Sequence, residues 1–290
     1  MPTEISRTIC PICHCKELQT FFTIDGRNLL ICSNCRHVFF KNIPSIVQLK
    51  DYYKNDYSIV HRQIEFQSGN EEYYKSHFQE LVRYCGCDSD ISILDYGCSC
   101  PIFLNVAKEL GAAVMGCDYD AETIAYGKQL GISIITPEDL SQIHQKFDVI
   151  RFSHVLEHLV DPLEVMCFVR SLLKPSGIVY ITQPCIPLFQ LKEFPSTLTD
   201  VVYPSHLHFF NPLSVVELSK SADFSVFRLF THQNESSLFT KYRKYVDYAK
   251  SVSALRELSN CGDNYFGVLN NYPHFMGEII LAVLKASPSP

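Results

Sequence analysis

The sequence predicts an α/β fold: a mostly parallel sheet with helices on both faces, preceded by a small cysteine-rich module. Three observations predict it. Short apolar runs alternate with segments of helical period from Ile91 to Thr182, the pattern of strands joined by crossover helices. The first such unit, Ile91–Asp120, reads as strand, tight turn, helix and strand. Ahead of it stand two C-x2-C pairs.

Within Ile91–Asp120, the first strand holds Ile91, Ile93 and Leu94 and ends at Asp95-Tyr96-Gly97. Cys98-Ser99-Cys100 is the turn, and Pro101 suits a first helical position, where no N–H is needed. Phe103, Leu104, Ala107 and Leu110 recur at helical spacing, and Gly111 stops the helix. A second strand, Ala113–Cys117, ends on Asp118. An acid about 20 residues past a tight βα turn is how a nucleoside cofactor is held, its carboxylate accepting from ribose hydroxyls. The turn's N–H groups and the helix N-terminus suit the polar middle of such a ligand.

Cys10, Cys13, Cys32 and Cys35 form C-x2-C…C-x2-C with eighteen residues between the pairs. Four thiolates at that spacing close a tetrahedron around Zn²⁺, each pair on one tight knuckle. Leu18–Phe22 and Asn28–Ile31 suit two short strands between them, so residues 1–42 read as a zinc ribbon. A metal-free hairpin of this size would have too little core. Cys15 and His37 flank the knuckles as alternative ligands.

Residues 43–90 read as a helical connector, with one helix around Leu49, Tyr52, Tyr53 and Tyr57 ending near Asp56, and a second over Glu71–Tyr84. Tyrosines of the second either line a pocket or pack on the main domain. That domain, 91–290, continues with a helix at Glu122–Gln129, a strand at Ile132–Ile135, then Pro137-Glu138-Asp139-Leu140. Glu138 and Asp139 are placed to accept from an adenine amino group, or simply to begin a helix. A fourth strand, Phe147–Phe152, leads to Ser153-His154-Val155-Leu156-Glu157-His158. A helix from Pro162 through Leu173 and a fifth strand at Ile178–Thr182 follow. Asn211 caps a helix through Ser221, Phe224–Phe230 is a sixth strand and Phe275–Lys285 the last. Between the last two, at about 231–272, lies a helical insertion. Its segment Leu238–Ala249 carries Lys241, Arg243 and Lys244, with Lys250 just after.

These motifs together resemble class I S-adenosylmethionine-dependent methyltransferases. The resemblance rests on Leu94-Asp95-Tyr96-Gly97-Cys98-Ser99 with Asp118, on Phe147-Asp148-Val149-Ile150 with His154 through His158, and on Leu172-Leu173-Lys174-Pro175-Ser176-Gly177. With the N-terminal zinc ribbon, the order is similar to bacterial methyltransferases of polysaccharide and natural-product pathways. It implies a Rossmann-like seven-stranded sheet, its last strand antiparallel, and S-adenosylmethionine as cofactor. Asp95, Gly97 and Cys98 would then form the turn around the methionine part. Asp118 would hold the ribose, Tyr119 would flank the adenine, and Glu138 or Asp139 would meet its amino edge. Ser153 and His154 stand at the carboxyl edge of the sheet. The family turn is D-x-G-x-G-x-G, but here Ser99 and Pro101 replace the second and third glycines. A dinucleotide turn, G-x-G-x-x-G, fits less well, since it would need glycine at Ser99 and Ile102.

Tyr203-Pro204-Ser205-His206 is similar to the Tyr-x-Glu-His segment of sugar C-methyltransferases, which implies His206 as general base with Tyr203 beside it; Ser205 stands in place of the Glu. Methyl transfer from a sulfonium needs alignment and, for a hydroxyl or carbon nucleophile, proton removal. The sequence thus predicts methyl transfer to a small molecule, a sugar or nucleotide sugar. A methyltransferase-like binding or scaffold module with a degenerate turn is the alternative. A net charge of −6 and the absence of Asn/Asp-Pro-Pro-Tyr after the fourth strand argue against nucleic-acid methylation. No apolar signal core or membrane-spanning run stands out. Thirteen cysteines, an odd number, favour a reducing, cytoplasmic compartment.

Overall fold

The computed structural model describes residues 4–53, 71–87, 90–185, 203–232 and 279–287. The elements are β1 (Glu4–Ser6), β2 (Leu18–Ile24), β3 (Arg27–Cys32), β4 (Val38–Phe40), β5 (Asn42–Pro44), α1 (Ile46–Tyr52), α2 (Glu71–Cys85), β6 (Ser92–Tyr96), α3 (Ile102–Glu109), β7 (Ala113–Cys117), α4 (Ala121–Gln129), β8 (Ser133–Ile135), α5 (Pro137–Leu140), β9 (Phe147–Ser153), a 3-10 turn at Leu156–His158, α6 (Pro162–Arg170), β10 (Leu173–Pro184), β11 (His208–Phe209), α7 (Pro212–Ser221), β12 (Phe224–His232) and β13 (Ile279–Ala286). The main sheet has seven strands in the order β12-β13-β10-β9-β6-β7-β8. β6 runs parallel to β7 on one side and to β9 on the other, and β12 and β13 are antiparallel. This is the mostly parallel sheet that the alternation predicts, and it is Rossmann-like as the resemblance implies. The basic helix expected at Leu238–Ala249 lies outside the described residues, as do Tyr57 and the helix end near Asp56.

Two compact units are present: residues 1–45, 156–167 and 181–290 in one, 46–155 and 168–180 in the other. In the second, all of β6 is buried, and α3 turns Phe103, Leu104, Val106 and Ala107 inward. Apolar faces on a buried parallel strand and its crossover helix are what hydrophobic burial requires of this unit. Gly111, at φ +93°, ends α3: its N–H donates to Lys108 O and the Ala112 N–H to Ala107 O. That pair of bonds satisfies the helix's last carbonyls. Pro101 is the residue before the helix rather than its first, with φ −80° and ψ 37°. Its ψ lies outside the helical well, so the first helical residue is Ile102. On α2, His77, Phe78, Leu81 and Tyr84 are buried, and Tyr180 Oη donates to Glu80 Oε2 at 3.1 Å. The helix packs on the domain, as the plainer expectation had it. α6 stops at Arg170, three residues short of the expected Leu173, because Ser171 and Leu172 donate to carbonyls three residues back and tighten the last turn. Residues 174–177, which lie between the expected helix and the expected fifth strand, are part of β10.

In the first unit, β2, β3 and β4 form an antiparallel sheet whose fourth strand is β11, in the order β11-β4-β3-β2. His208 pairs with Phe39 and Phe209 with Val38. Asn211 caps α7, accepting from the Ser214 N–H, and its amide donates to Arg36 O at 2.9 Å. Among the described residues no helix is long and apolar enough to cross a membrane.

Candidate cofactor and cation sites

Asp95 and Asp118 end neighbouring strands, but the structure gives them different tasks. Asp95 is 1% exposed, and one Arg151 nitrogen donates to both its oxygens at 2.8 and 2.9 Å. The two residues are register partners on β6 and β9. Arg151 also lies 4.3 Å over the Phe103 ring. Burial opposes the guanidinium charge, but Asp95 outweighs it and holds Arg151 above its ordinary value. Arg151 was not singled out in the sequence, where it is one cation inside an apolar strand.

Gly97 has φ +71°, and a Cβ there would stand 2.6 Å from Val155 Cγ2. Its N–H and that of Cys98 both donate to Cys117 O, at 2.7 and 3.2 Å, so the turn is folded onto the end of β7. Cys98 is buried, which pushes its thiol well up. Ser99 takes the left-handed backbone, φ +44°, that glycine would adopt freely. Its N–H donates to Asp118 Oδ2 at 2.8 Å, and the Asp120 N–H donates to Asp118 Oδ1 at 3.0 Å. Asp118 therefore clamps the turn to the loop after β7. Burial raises its pKa despite those two bonds. Each carboxylate oxygen retains a second lone pair for a hydroxyl donor.

Tyr119, half exposed, lies beneath Lys50 Nζ at 4.9 Å. Lys50 also donates to Glu138 at 2.7 Å, and this bond lowers the Glu138 pKa. Asp139 belongs to the helix start: its N–H donates to Thr136 Oγ1, whose hydroxyl donates to Asp139 Oδ2. Ser153 ends β9, and His154 follows with φ +55°. Asp95, Gly97, Cys98, Asp118, Tyr119, Glu138, Asp139, Ser153 and His154 all belong to one unit.

The other unit carries the cysteines. Sγ separations are 3.6 Å for Cys10–Cys35, 3.5 Å for Cys13–Cys32 and 3.6 Å for Cys13–Cys35. A Zn²⁺–thiolate tetrahedron with bonds of ~2.3 Å has edges of ~3.8 Å, so the four thiols fit the ion. The two knuckles are alike. His14 (φ +56°) donates its N–H to Cys10 O, and Arg36 (φ +59°) to Cys32 O; Cys10 and Cys32 donate in turn to Cys15 O and His37 O. Cys15 and His37 are equivalent positions, and neither belongs to the four-sulfur cluster. Buried His37 has its ring Nε2 2.9 Å from His208 Nδ1, while His208 Nε2–H donates to Leu159 O. Burial keeps both imidazoles neutral, pushing His37 down to about 3 and His208 well below the ordinary value.

Tyr203 packs between Arg27, 4.1 Å above its ring, and the edge of Phe40. Burial raises its pKa against the pull of Arg27. His206 lies against His158, ring centroids 4.9 Å apart. His158 Nδ1 meets Ser205 O at 2.9 Å, and the Leu207 N–H donates to Glu157 O at 2.8 Å. Glu157 is 2% exposed, and burial pushes its pKa up to about 8. Glu157, His158 and His206 bring three metal-ligating atoms within 4.8 Å of one another. The meeting of Glu157 and His158 with His206, 48 residues past His158, carries no local signal in the sequence.

Residues 66–229 match the family described as a methyltransferase domain. A ubiquinone biosynthesis O-methyltransferase of Haemophilus ducreyi is 35% identical over 103 residues, covering 31% of this chain and 44% of the relative. The chain thus spans less than half the length of the curated relatives it matches. A SAM-dependent methyltransferase structure from Archaeoglobus fulgidus superposes with a TM-score of 0.52 at 21% identity, covering 79% of this chain and all of that one. Magnesium protoporphyrin IX methyltransferase of Synechocystis, solved with SAH, gives 0.53 at 15% identity over 83% of this chain and all of that one. The strand order, the clamped turn after β6 and a family match across more than half the sequence agree: the chain belongs to the methyltransferase-domain family, on the class I S-adenosylmethionine-dependent methyltransferase fold.

Proposed function

We propose that the protein transfers the methyl group of S-adenosylmethionine to a small-molecule acceptor, a sugar or nucleotide sugar. The observation that carries this reading is Asp118, a half-buried acid at the end of β7 that orders the turn after β6 and keeps lone pairs for ribose hydroxyls. Bound S-adenosylmethionine supplies a methyl already activated by its sulfonium. The chain's residues then align the acceptor and remove its proton. His206 would take that proton on a ring nitrogen, and Tyr203 would orient the acceptor. The relative's name, an O-methyltransferase, supports an oxygen nucleophile, as does Ser205 in place of the Glu of the carbon-methylating segment. In this reading Cys10, Cys13, Cys32 and Cys35 hold a structural Zn²⁺, and the thiols belong to a reducing, cytoplasmic setting.

A second reading, a binding module without catalysis, is favoured by the turn itself. The Ser99 N–H is already spent on Asp118 and the Ile102 N–H on Cys100 O, while Pro101 has none. Calorimetric titration with S-adenosylmethionine and S-adenosylhomocysteine decides between them. Micromolar binding, lost in Asp118→Ala with the fold retained by circular dichroism, followed by turnover on a panel of sugar nucleotides, supports the enzyme. Absence of binding by a folded protein overturns it.

A further inference from the structure

We infer that Glu157, His158 and His206 form a binding site for a divalent transition-metal cation, separate from the four-cysteine cluster. Two imidazole nitrogens and one carboxylate oxygen are a donor set suited to Zn²⁺, Ni²⁺, Co²⁺ or Fe²⁺ rather than Mg²⁺ or Ca²⁺. Their ligand atoms already lie within 4.8 Å of one another, and His158 Nε2 is 4.0 Å from Glu157 Oε1. Bonds of ~2.0–2.2 Å place such donors ~3.3 Å apart, so closure by roughly 1.5 Å completes the set. Glu157 sits in a buried turn, whereas His158 and His206 are half-buried.

The surroundings are built as a ligating histidine needs. His158 Nδ1–H donates to Ser205 O at 2.9 Å, which fixes the tautomer and leaves the Nε2 lone pair facing Glu157. A second-sphere carbonyl on the far nitrogen is the usual partner of a metal-bound histidine. The Leu207 N–H on Glu157 O at 2.8 Å ties the segment carrying His206 to the turn carrying the other two. Two stretches of chain are therefore pinned together at the point where the donors meet. Lone histidines packed for burial alone would need neither bond to converge on a carboxylate.

The inference goes beyond methyl transfer and stands without it. A cation and a proton compete for the same His206 ring, so its role as a base belongs to the cation-free protein.

Cobalt is the probe. Tag-free, full-length protein carrying one zinc per chain is titrated with Co²⁺ alone. The expected result is one further cation per chain. It should show visible ligand-field absorption but no thiolate-to-cobalt charge transfer, which would signal exchange at the cysteines. His206→Gln and His158→Gln should each weaken that binding at least about tenfold while keeping the first zinc. Cys13→Ser should lose the first zinc and keep the cobalt spectrum. The retained zinc reports folding of each histidine variant, so a misfolded protein is not mistaken for a negative. No second cation, or a second cation indifferent to both histidine variants, overturns the site whatever the outcome with S-adenosylmethionine.

Discussion

Arg151 spends one guanidinium nitrogen on both oxygens of Asp95, at 2.8 and 2.9 Å, inside the sheet and under the ring of Phe103. Removing one partner leaves the other charge buried and unpaired. Arg151→Met should lower unfolding stability by about 3–5 kcal/mol, and Asp95→Leu in the same chain should recover much of the loss. Urea unfolding of the two single variants and the double variant checks this; additive losses would show that the pair is not coupled.

Gly97 is held by two requirements at once, a positive φ and the 2.6 Å approach of Val155. Gly97→Ala should cost about 1–3 kcal/mol. Adding Val155→Ala relieves the collision but not the backbone strain, so thermal melting should show partial recovery. Full recovery would mean that contact alone requires the glycine.

Asp148 gives a pH dependence with a definite sign. Burial opposes its charge, but Lys174 at 2.6 Å and the Ser92 hydroxyl and N–H outweigh it, holding the carboxyl below its ordinary 3.8. A depressed folded pKa contributes stability that is complete above the unfolded value and lost as pH falls through the folded one. Lys174 is partly exposed, so the contribution at neutral pH should be under about 1 kcal/mol. Denaturant midpoints between neutrality and acid should fall less steeply in Asp148→Asn than in the parent.

Chelation addresses the cysteine cluster. Each knuckle is closed by backbone bonds around a residue with positive φ, and a bound ion that ties the two knuckles together contributes its binding energy to folding. Cys13→Ser, or a strong chelator, should release one zinc per chain by metal analysis and lower the melting temperature. An unchanged melting temperature after zinc loss would show that the sheet holds itself.

Much of this protein was determined by its sequence alone, because those features are local. Helical period and caps set α3 and α7: Gly111 closes the one, and Asn211 opens the other with bonds to its own neighbours. Alternation of strand and helix made the sheet parallel, and C-x2-C spacing brought four thiols to zinc-binding distance. Asp118 was legible because its place after the second strand follows from chain length through one βαβ unit.

Only the tertiary structure decided which distant groups meet. β11 joins the ribbon sheet although its two residues carry no strand pattern, since backbone pairing with β4 supplies what local propensity does not. Arg151 found Asp95 through strand register, which no spacing along the chain encodes. Ser99 surrendered its N–H to Asp118 because the turn folds back on β7. Glu157, His158 and His206 converge because the His158 ring bond to Ser205 O and the Leu207 N–H bond to Glu157 O hold two segments together. Periodicity records what a residue does within a few turns of its own chain; burial and register choose its partners among all the rest.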